Sequence, residues 1–452
     1  MDLFTNLKKI LLKNYLLNAT PSKTYKVVRA IMHWLLLPIK LTIIGTLGIY
    51  QIIKNSFKIP REPKPITWTF DVDELLNKLP ILNSDDFSTY ICRQPVGMPI
   101  DGQQHNFDHQ CLRQGTYQFL LSKLNPELVT ESVIYGTSKH IQGPRLFRGY
   151  MANPTSFNMF SVSGDMLCGM NLAMLNNKNS DLKDKYEYMV LGIINNDYSL
   201  LESCSPDPLE EPMLATIYKE RLIEAMSRPE MVNMKSYKAS WSAGIEPVGA
   251  QALTLLATLR TSAVLCKEPI AASKYSSLLW KYGYGLLSLF PTAYIESRRG
   301  YFNEHNCMTS LYVLSKLAKY KWFWKMPMIY VWSLSKHWYN GYFTGLLLDA
   351  HPELLKKDKY KNHLLKCVEY LREVRISEVV ERSANFSEVE TDAPVKLSEI
   401  CENEFYPEVR HNYKAMGNSS EKIMTGLGYL ASLTMCLEAL KNIQRTLDNE
   451  NK

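Results

Sequence analysis

Residues 110–124 read QCLRQGTYQFLLSKL, and residues 164–176 read GDMLCGMNLAMLN. In both stretches apolar residues recur at the three- and four-residue spacing of an α-helix. In 164–176 apolar or small residues occupy most sides of the helix, and a helix that is apolar all round is buried. The two stretches therefore predict helices in the interior of a helical domain.

The same helical pattern continues along the chain, at 186–201, 213–228, 249–266, 275–290, 305–320, 328–339, 342–355, 361–374 and 421–443. Candidate buried helices begin near residues 108, 163, 248, 304, 342 and 421, and helices with one charged face alternate with them. Strand patterns are few: ITWTF (66–70), VIYG (133–136) and VRISEVV (374–380). We therefore predict an all-α domain over residues 67–445, followed by a polar tail at 446–452.

Positive charge is concentrated at the N-terminus. Residues 1–64 carry eleven Lys and Arg against Asp2 and Glu62, a net charge of +9, whereas the whole chain carries +7, so residues 65–452 sum to −2. Because the body has no basic stripe, we do not expect a nucleic-acid partner. The nine cysteines are scattered without a CxxC pair, so we expect no disulfide framework, no metal site and no cofactor.

The N-terminal segment has the features of a membrane attachment. Residues 30–53, AIMHWLLLPIKLTIIGTLGIYQII, could cross ~30 Å of hydrocarbon as a helix. Residues 2–17 form a basic amphipathic pattern that suits an anionic membrane surface. We predict a membrane-associated segment at 1–53 and a Pro-rich linker at 54–66. If the segment spans the bilayer, its flanking charges favour a cytoplasmic N-terminus. A buried core helix is the alternative.

Polar and aromatic residues stand at the starts of the candidate buried helices: Phe107–Gln110, Ser161–Asp165, Tyr301–Asn306 and Tyr339–Phe343. This layout resembles the (α/α)6 toroid, the fold of six helical hairpins found in many glycoside hydrolases and polysaccharide lyases. The resemblance covers about residues 85–445 and points to no single family. It implies that short inner helices begin around a central cleft. The same fold also hosts non-enzymes, so the resemblance alone does not assign a function.

Acidic residues near these helix starts are the candidates for catalysis. Hydrolysis of a glycosidic bond needs two carboxyl groups about 5–10 Å apart, one of them protonated. The catalytic candidates are Asp108, Asp165, Glu304 and His305. The candidates for substrate binding are His109, Tyr301, Asn303, Asn306, Arg148, Glu246 and Asp349, of which Glu246 and Asp349 are also possible catalytic acids. Helix capping explains the same acids without catalysis.

Other chemistries have weaker signals. His105-x-x-Asp108-His109 resembles a metal-binding motif with Asp in place of Glu, but its first residues lie in a polar loop. The cluster Asn303–Asn306 beside Tyr301 suits sugar hydroxyls and rings, and a Tyr–His pair would also serve a lyase. The Arg148 guanidinium could bind the carboxylate or sulfate of an acidic polymer.

These patterns lead to one main hypothesis and two alternatives. The main hypothesis is a membrane-anchored, carbohydrate-active enzyme, a hydrolase or a lyase, acting on a polysaccharide or glycoconjugate. The first alternative is a membrane-tethered helical scaffold or binding protein without catalysis. The second is a lipid-active enzyme, for which the sequence offers no nucleophile.

Overall fold

The computed structural model describes residues 23–57, 110–138, 140–146, 164–195, 198, 250–281, 285, 288–289, 300–335, 339–373 and 427–450. The helices in these ranges are α1 (Lys23–Ser56), α2 (Gln110–Leu124), α3 (Glu131–Ser138), α4 (Gly164–Leu175), α5 (Ser180–Asn195), α6 (Ala250–Thr261), α7 (Pro269–Ser276), α8 (Gly300–Leu317), α9 (Trp322–Ser335), α10 (Gly341–Ala350), α11 (Asp358–Glu373) and α12 (Leu427–Glu450). Short π-helical turns extend α6 to Cys266 and α7 to Lys281. The predicted all-α class is confirmed.

Six helices form the core: α2, α4, α6, α8, α10 and α12. Each packs against the next in this order, and α12 packs against α2. They begin close to the predicted starts of the buried helices, and α10 is buried over its whole length. The intervening helices lie outside them. For example, α11 has a buried apolar side with Leu364, Cys367 and Val368, and exposed charges on the other.

Contacts at successive heights show that neighbouring core helices run in the same direction. Cys168 of α4 contacts Thr254 of α6, and one turn later Asn171 donates to Thr258 at 3.1 Å. Between α6 and α8, Thr254 pairs with Ser310 at 3.0 Å, and Arg260 donates to the Leu317 carbonyl.

The contacts of α2 and α10 show the same parallel direction. Cys111 approaches the Met166 carbonyl and Ser122 accepts from Asn176, so α2 is parallel to α4. Thr309 contacts Tyr342, and seven residues further along its helix Lys316 reaches Asp349. The helices α2, α4, α6, α8 and α10 therefore all begin at one end of the core.

Glycines let the core helices approach backbone to backbone. A Cβ on Gly115 would stand 2.3 Å from the Gly169 carbonyl oxygen, and a Cβ on Gly169 would stand 2.5 Å from the Leu112 carbonyl oxygen. A Cβ on Gly345 would meet the Met435 backbone at 2.4 Å. The small residues seen in the sequence therefore mark the contacts of α2 with α4 and of α10 with α12.

The strand predicted at VIYG (133–136) is wrong, because these residues lie in α3. The Thr130 carbonyl accepts the Ile134 amide, and the Thr130 hydroxyl accepts from the Val133 amide at 3.4 Å. These bonds start a helix that local strand preference does not predict. A small antiparallel hairpin follows it, with strands of two residues each, Ile141–Gln142 and Arg145–Leu146. The other two predicted strands lie outside the described residues.

Helix α1 is a single helix of 34 residues with Pro38 inside it. Its window Leu37–Lys54 is long and apolar enough to cross a membrane, and little of that window is buried. A core helix or a signal sequence can have the same length and composition. The helix continues to Ser56, into the predicted linker, just as α12 continues to Glu450, into the predicted tail. The predicted amphipathic stretch at 2–17 lies outside the described residues.

Candidate functional site

The structure describes seven of the predicted site residues and places six of them at the start of a core helix. Asp165 is the second residue of α4, and Tyr301, Asn303, Glu304, His305 and Asn306 lie in the first two turns of α8. The seventh, Asp349, lies near the end of α10. The other four fall outside the described residues: Asp108, His109, Arg148 and Glu246.

The sequence predicted a helix start near residue 304, with Tyr301 and Asn303 before it, whereas α8 begins at Gly300. No proline or glycine interrupts residues 301–317, so the helix can extend back to Gly300. The polar and aromatic residues therefore stand on the first turns of a helix and not on a loop. Their spacing along the helix sets which of them share a face.

Asp165 and Glu304 are at nearly the same height on two contacting helices. The Cys168 thiol approaches the Asn306 carbonyl oxygen at 3.9 Å, which aligns α4 with α8. Asp165 lies three residues before Cys168 and Glu304 two before Asn306, so both stand about 3–5 Å closer to the helix starts. Packed helices are about 8–10 Å apart. The two acids thus lie at similar heights on helices whose axes are about 8–10 Å apart.

A buried polar cluster lies further from the helix starts than these acids, where α4, α6 and α8 meet. The Cys168 sulfur is 3.5 Å from the Thr254 hydroxyl and 3.7 Å from the Ser310 hydroxyl. Asn306 is only 4% exposed, and among the described residues its Oδ1 atom has no hydrogen-bond partner. A buried oxygen without a donor is costly, so it is suited to accept a hydrogen bond from a bound molecule or water.

His305 stands beside this cluster on the side of α10. Its Nε2 atom is 3.3 Å from the Thr309 hydroxyl, which is 3.3 Å from the Tyr342 hydroxyl. The imidazole makes edge contacts with the rings of Tyr342 and Phe343 and is fully buried. An imidazole linked to hydroxyl groups can move a proton, and here the aromatic rings hold it in one orientation.

Asp349 is part of a separate charged cluster at the other end of the core. Its Oδ2 atom accepts from Lys123 at 3.0 Å, from Lys316 at 3.2 Å and from the Tyr312 hydroxyl at 2.6 Å. Burial opposes ionisation, but the two ammonium groups and the phenol outweigh it and hold the pKa of Asp349 below its usual value. The cluster joins α2, α8 and α10, and its geometry is that of an interhelical ion pair.

Sequence reasoning did not single out the hydroxyl and thiol groups of the interior. Thr254, Thr309 and Ser310 fall within apolar periodic stretches, where a hydroxyl gives no signal of its own. One signal was available: Thr254 and Thr258 are four residues apart, as are His305 and Thr309, so each pair shares one face of its helix.

Within the described ranges, no group of three or more His, Cys, Asp or Glu side chains is arranged to hold a metal ion. Comparisons of the chain with protein-family models, curated proteins and solved structures give no match.

Proposed function

We propose that the chain is a membrane-attached carbohydrate-active enzyme whose six core helices form the inner ring of an (α/α)6-like toroid. The succession of core contacts, from α2 to α12 and back to α2, supports the ring. The shared direction of five of these helices supports a single cleft at their starts. Helix α1 supports attachment through the N-terminal segment. The flanking positive charges of the sequence support a cytoplasmic N-terminus.

The observation that carries the enzymatic proposal is the equal height of Asp165 and Glu304 on adjacent helices. Two carboxyl groups at the same height on adjacent helices can lie about 5–10 Å apart, the separation needed on either side of a glycosidic bond. In this proposal one carboxyl protonates the leaving oxygen. The other acts as a nucleophile or activates water.

The neighbouring residues fit roles in sugar binding. The Asn306 Oδ1 atom accepts a hydrogen bond from a sugar hydroxyl. Tyr301 and Asn303 lie on the preceding turn and remain predictions for sugar binding. His305, linked to Thr309, is the proton acceptor if the reaction is an elimination next to a uronic carboxylate. Asp108 and Arg148 remain predictions for the same cleft.

The test is product release from neutral and uronate-containing polysaccharides by the full chain in phosphatidylcholine vesicles. Hydrolysis yields new reducing ends alone, and elimination also yields the ultraviolet absorbance of an unsaturated uronate. Asp165→Asn and Glu304→Gln should each abolish turnover with little change in melting. Glu353→Gln, an acid with a 51% exposed side chain beyond the end of α10, is the matched control and should remain active. Full activity of both site variants would refute the assignment.

A non-catalytic scaffold is the second candidate, and the burial of His305 and the structural use of Asp349 favour it. This candidate predicts no product from any polysaccharide. It also predicts that Asp165→Asn and Glu304→Gln affect only stability, as loss of helix-start charges would.

A further inference from the structure

Large apolar side chains are exposed where α7 approaches the start of α9. Trp322 is 68% exposed, Trp280 66% and Met326 63%. The ring of Phe323 holds the group together, with its centroid 5.8 Å from Trp280 and 6.1 Å from Trp322. We call these four residues, with the exposed Tyr320, the aromatic surface. So many exposed rings in one place are unusual for a surface that faces only water.

The aromatic surface continues into the face of α9 that contacts α1. Trp322, Met326 and Tyr330 recur every four residues, so they follow one side of the helix. Further along this side, the Tyr330 hydroxyl donates to the Gln51 side chain of α1. On the opposite face of α1, turned away from α9, Ile49 and Ile53 are each exposed to more than half of their area. Helix α1 and the aromatic surface are therefore adjacent, and both expose apolar side chains.

Positive charge borders the aromatic surface. Residues 305–348 contain five lysines and no Asp, Glu or Arg. Lys316 shares Asp349 with Lys123, and Lys325 pairs with Glu353, so these lysines already have acidic partners. Lys319 and Lys321 are exposed on the turn between α8 and α9, on either side of Tyr320. Trp and Tyr beside lysines is the composition of protein segments that sit at a lipid headgroup layer.

We propose that the aromatic surface is a second membrane contact, which seats the body of the protein on an anionic bilayer next to α1. Trp280, Trp322 and Met326 enter the boundary between headgroups and acyl chains, and Lys319 and Lys321 face the anionic headgroups. The surface follows the end of α8, which is the end of the core away from the helix starts. The bilayer is thereby kept away from Asp165 and Glu304. This proposal requires no catalytic activity and stands apart from the proposed function.

The test uses the full chain in vesicles of phosphatidylcholine and phosphatidylserine with brominated acyl chains, because bromine quenches tryptophan fluorescence on contact. The intensity lost to bromine should fall in Trp280→Phe and in Trp322→Phe, and should fall further in the double variant. Trp324→Phe is the matched control, since Trp324 is adjacent in sequence but only 2% exposed. Trp324→Phe should leave the quenched intensity unchanged. The quenching of Trp34 in α1 should be the same in all variants.

Two results would overturn the proposal. One is an equal quenched intensity in the wild type and in the Trp280/Trp322 double variant. The other is a dimer of the chain in detergent that becomes a monomer in Trp322→Asp. That result would make the aromatic surface a contact between two copies of the chain. Reversing Lys319 and Lys321 to Glu tests the charge contribution. Quenching in the anionic vesicles should then fall to the level seen in phosphatidylcholine alone, and no difference would contradict the role of the headgroups.

Discussion

Replacing Asp349 with Asn separates a structural role of this residue from the catalytic role that the sequence allowed. Asn keeps the shape of the side chain and can still accept from the Tyr312 hydroxyl, but it loses the charge that faces Lys123 and Lys316. Two ammonium groups are then left side by side. The expected consequence is a loss of stability without a specific loss of turnover.

The size of the effect follows from the exposure of the partners. Removing one member of a fully buried ion pair costs about 3–5 kcal/mol. The side chains of Lys123 and Lys316 are 14% and 30% exposed, so water compensates part of the lost attraction. We expect a loss of about 2–3 kcal/mol in the free energy of unfolding. Because the folded pKa of Asp349 is lowered, its contribution is present above the unfolded pKa and disappears as the pH falls below about 4.

The assay is urea unfolding of the full chain in detergent, followed by circular dichroism. Asp181→Asn is the matched control, because Asp181 forms an exposed pair with Lys185 at 2.8 Å. Such pairs contribute less than about 0.5 kcal/mol. An equally small effect of Asp349→Asn would refute the interhelical role. Unchanged stability with abolished turnover would instead make Asp349 catalytic.

Three further changes test the core and its titration. Gly169→Ala forces a Cβ to 2.5 Å from backbone and should cost at least about 2 kcal/mol by urea unfolding, whereas Gly45→Ala has no atom within 4 Å and should not destabilise. Asn340→Ala removes the side-chain cap of α10 and should cost about 1 kcal/mol in the same assay, and no loss would contradict the cap. Burial lowers the pKa of His351 to about 4, so protonation of the unfolded chain should reduce stability by up to about 3 kcal/mol as the pH falls from about 6.5 to 4. His351→Gln should flatten that pH profile, and an unchanged slope would contradict the assignment.

Periodicity predicted the core helices well because their apolar residues cover most of each helix. The starts expected near 163, 248 and 342 lie at residues 164, 250 and 341 in the structure. Periodicity failed at VIYG (133–136), where the three β-prone residues Val, Ile and Tyr resemble a strand. The side-chain and backbone bonds to Thr130 that make it a helix depend on the preceding turn, which a short apolar pattern does not report.

The candidate site was predictable only in part. An acid before an apolar run signals a helix start, and Asp165 and Glu304 both lie in the first turns of core helices. Asp349 was grouped with them, although it lies near the end of α10. Its partners Lys123 and Lys316 are distant in sequence, so only the parallel packing of α2, α8 and α10 reveals the ion pair. Partnerships of this kind are set by tertiary contacts and not by local sequence.

Whether Asp165 and Glu304 share one end of the core can be measured by distances between spin labels. Labels at introduced cysteines are measured for the pair 165–304 and for the pair 165–353, with the unsubstituted chain as the labelling blank. We expect backbone distances of about 10 Å for the first pair and at least about 20 Å for the second. A 165–304 distance as long as the 165–353 distance would show that the two acids do not share one end.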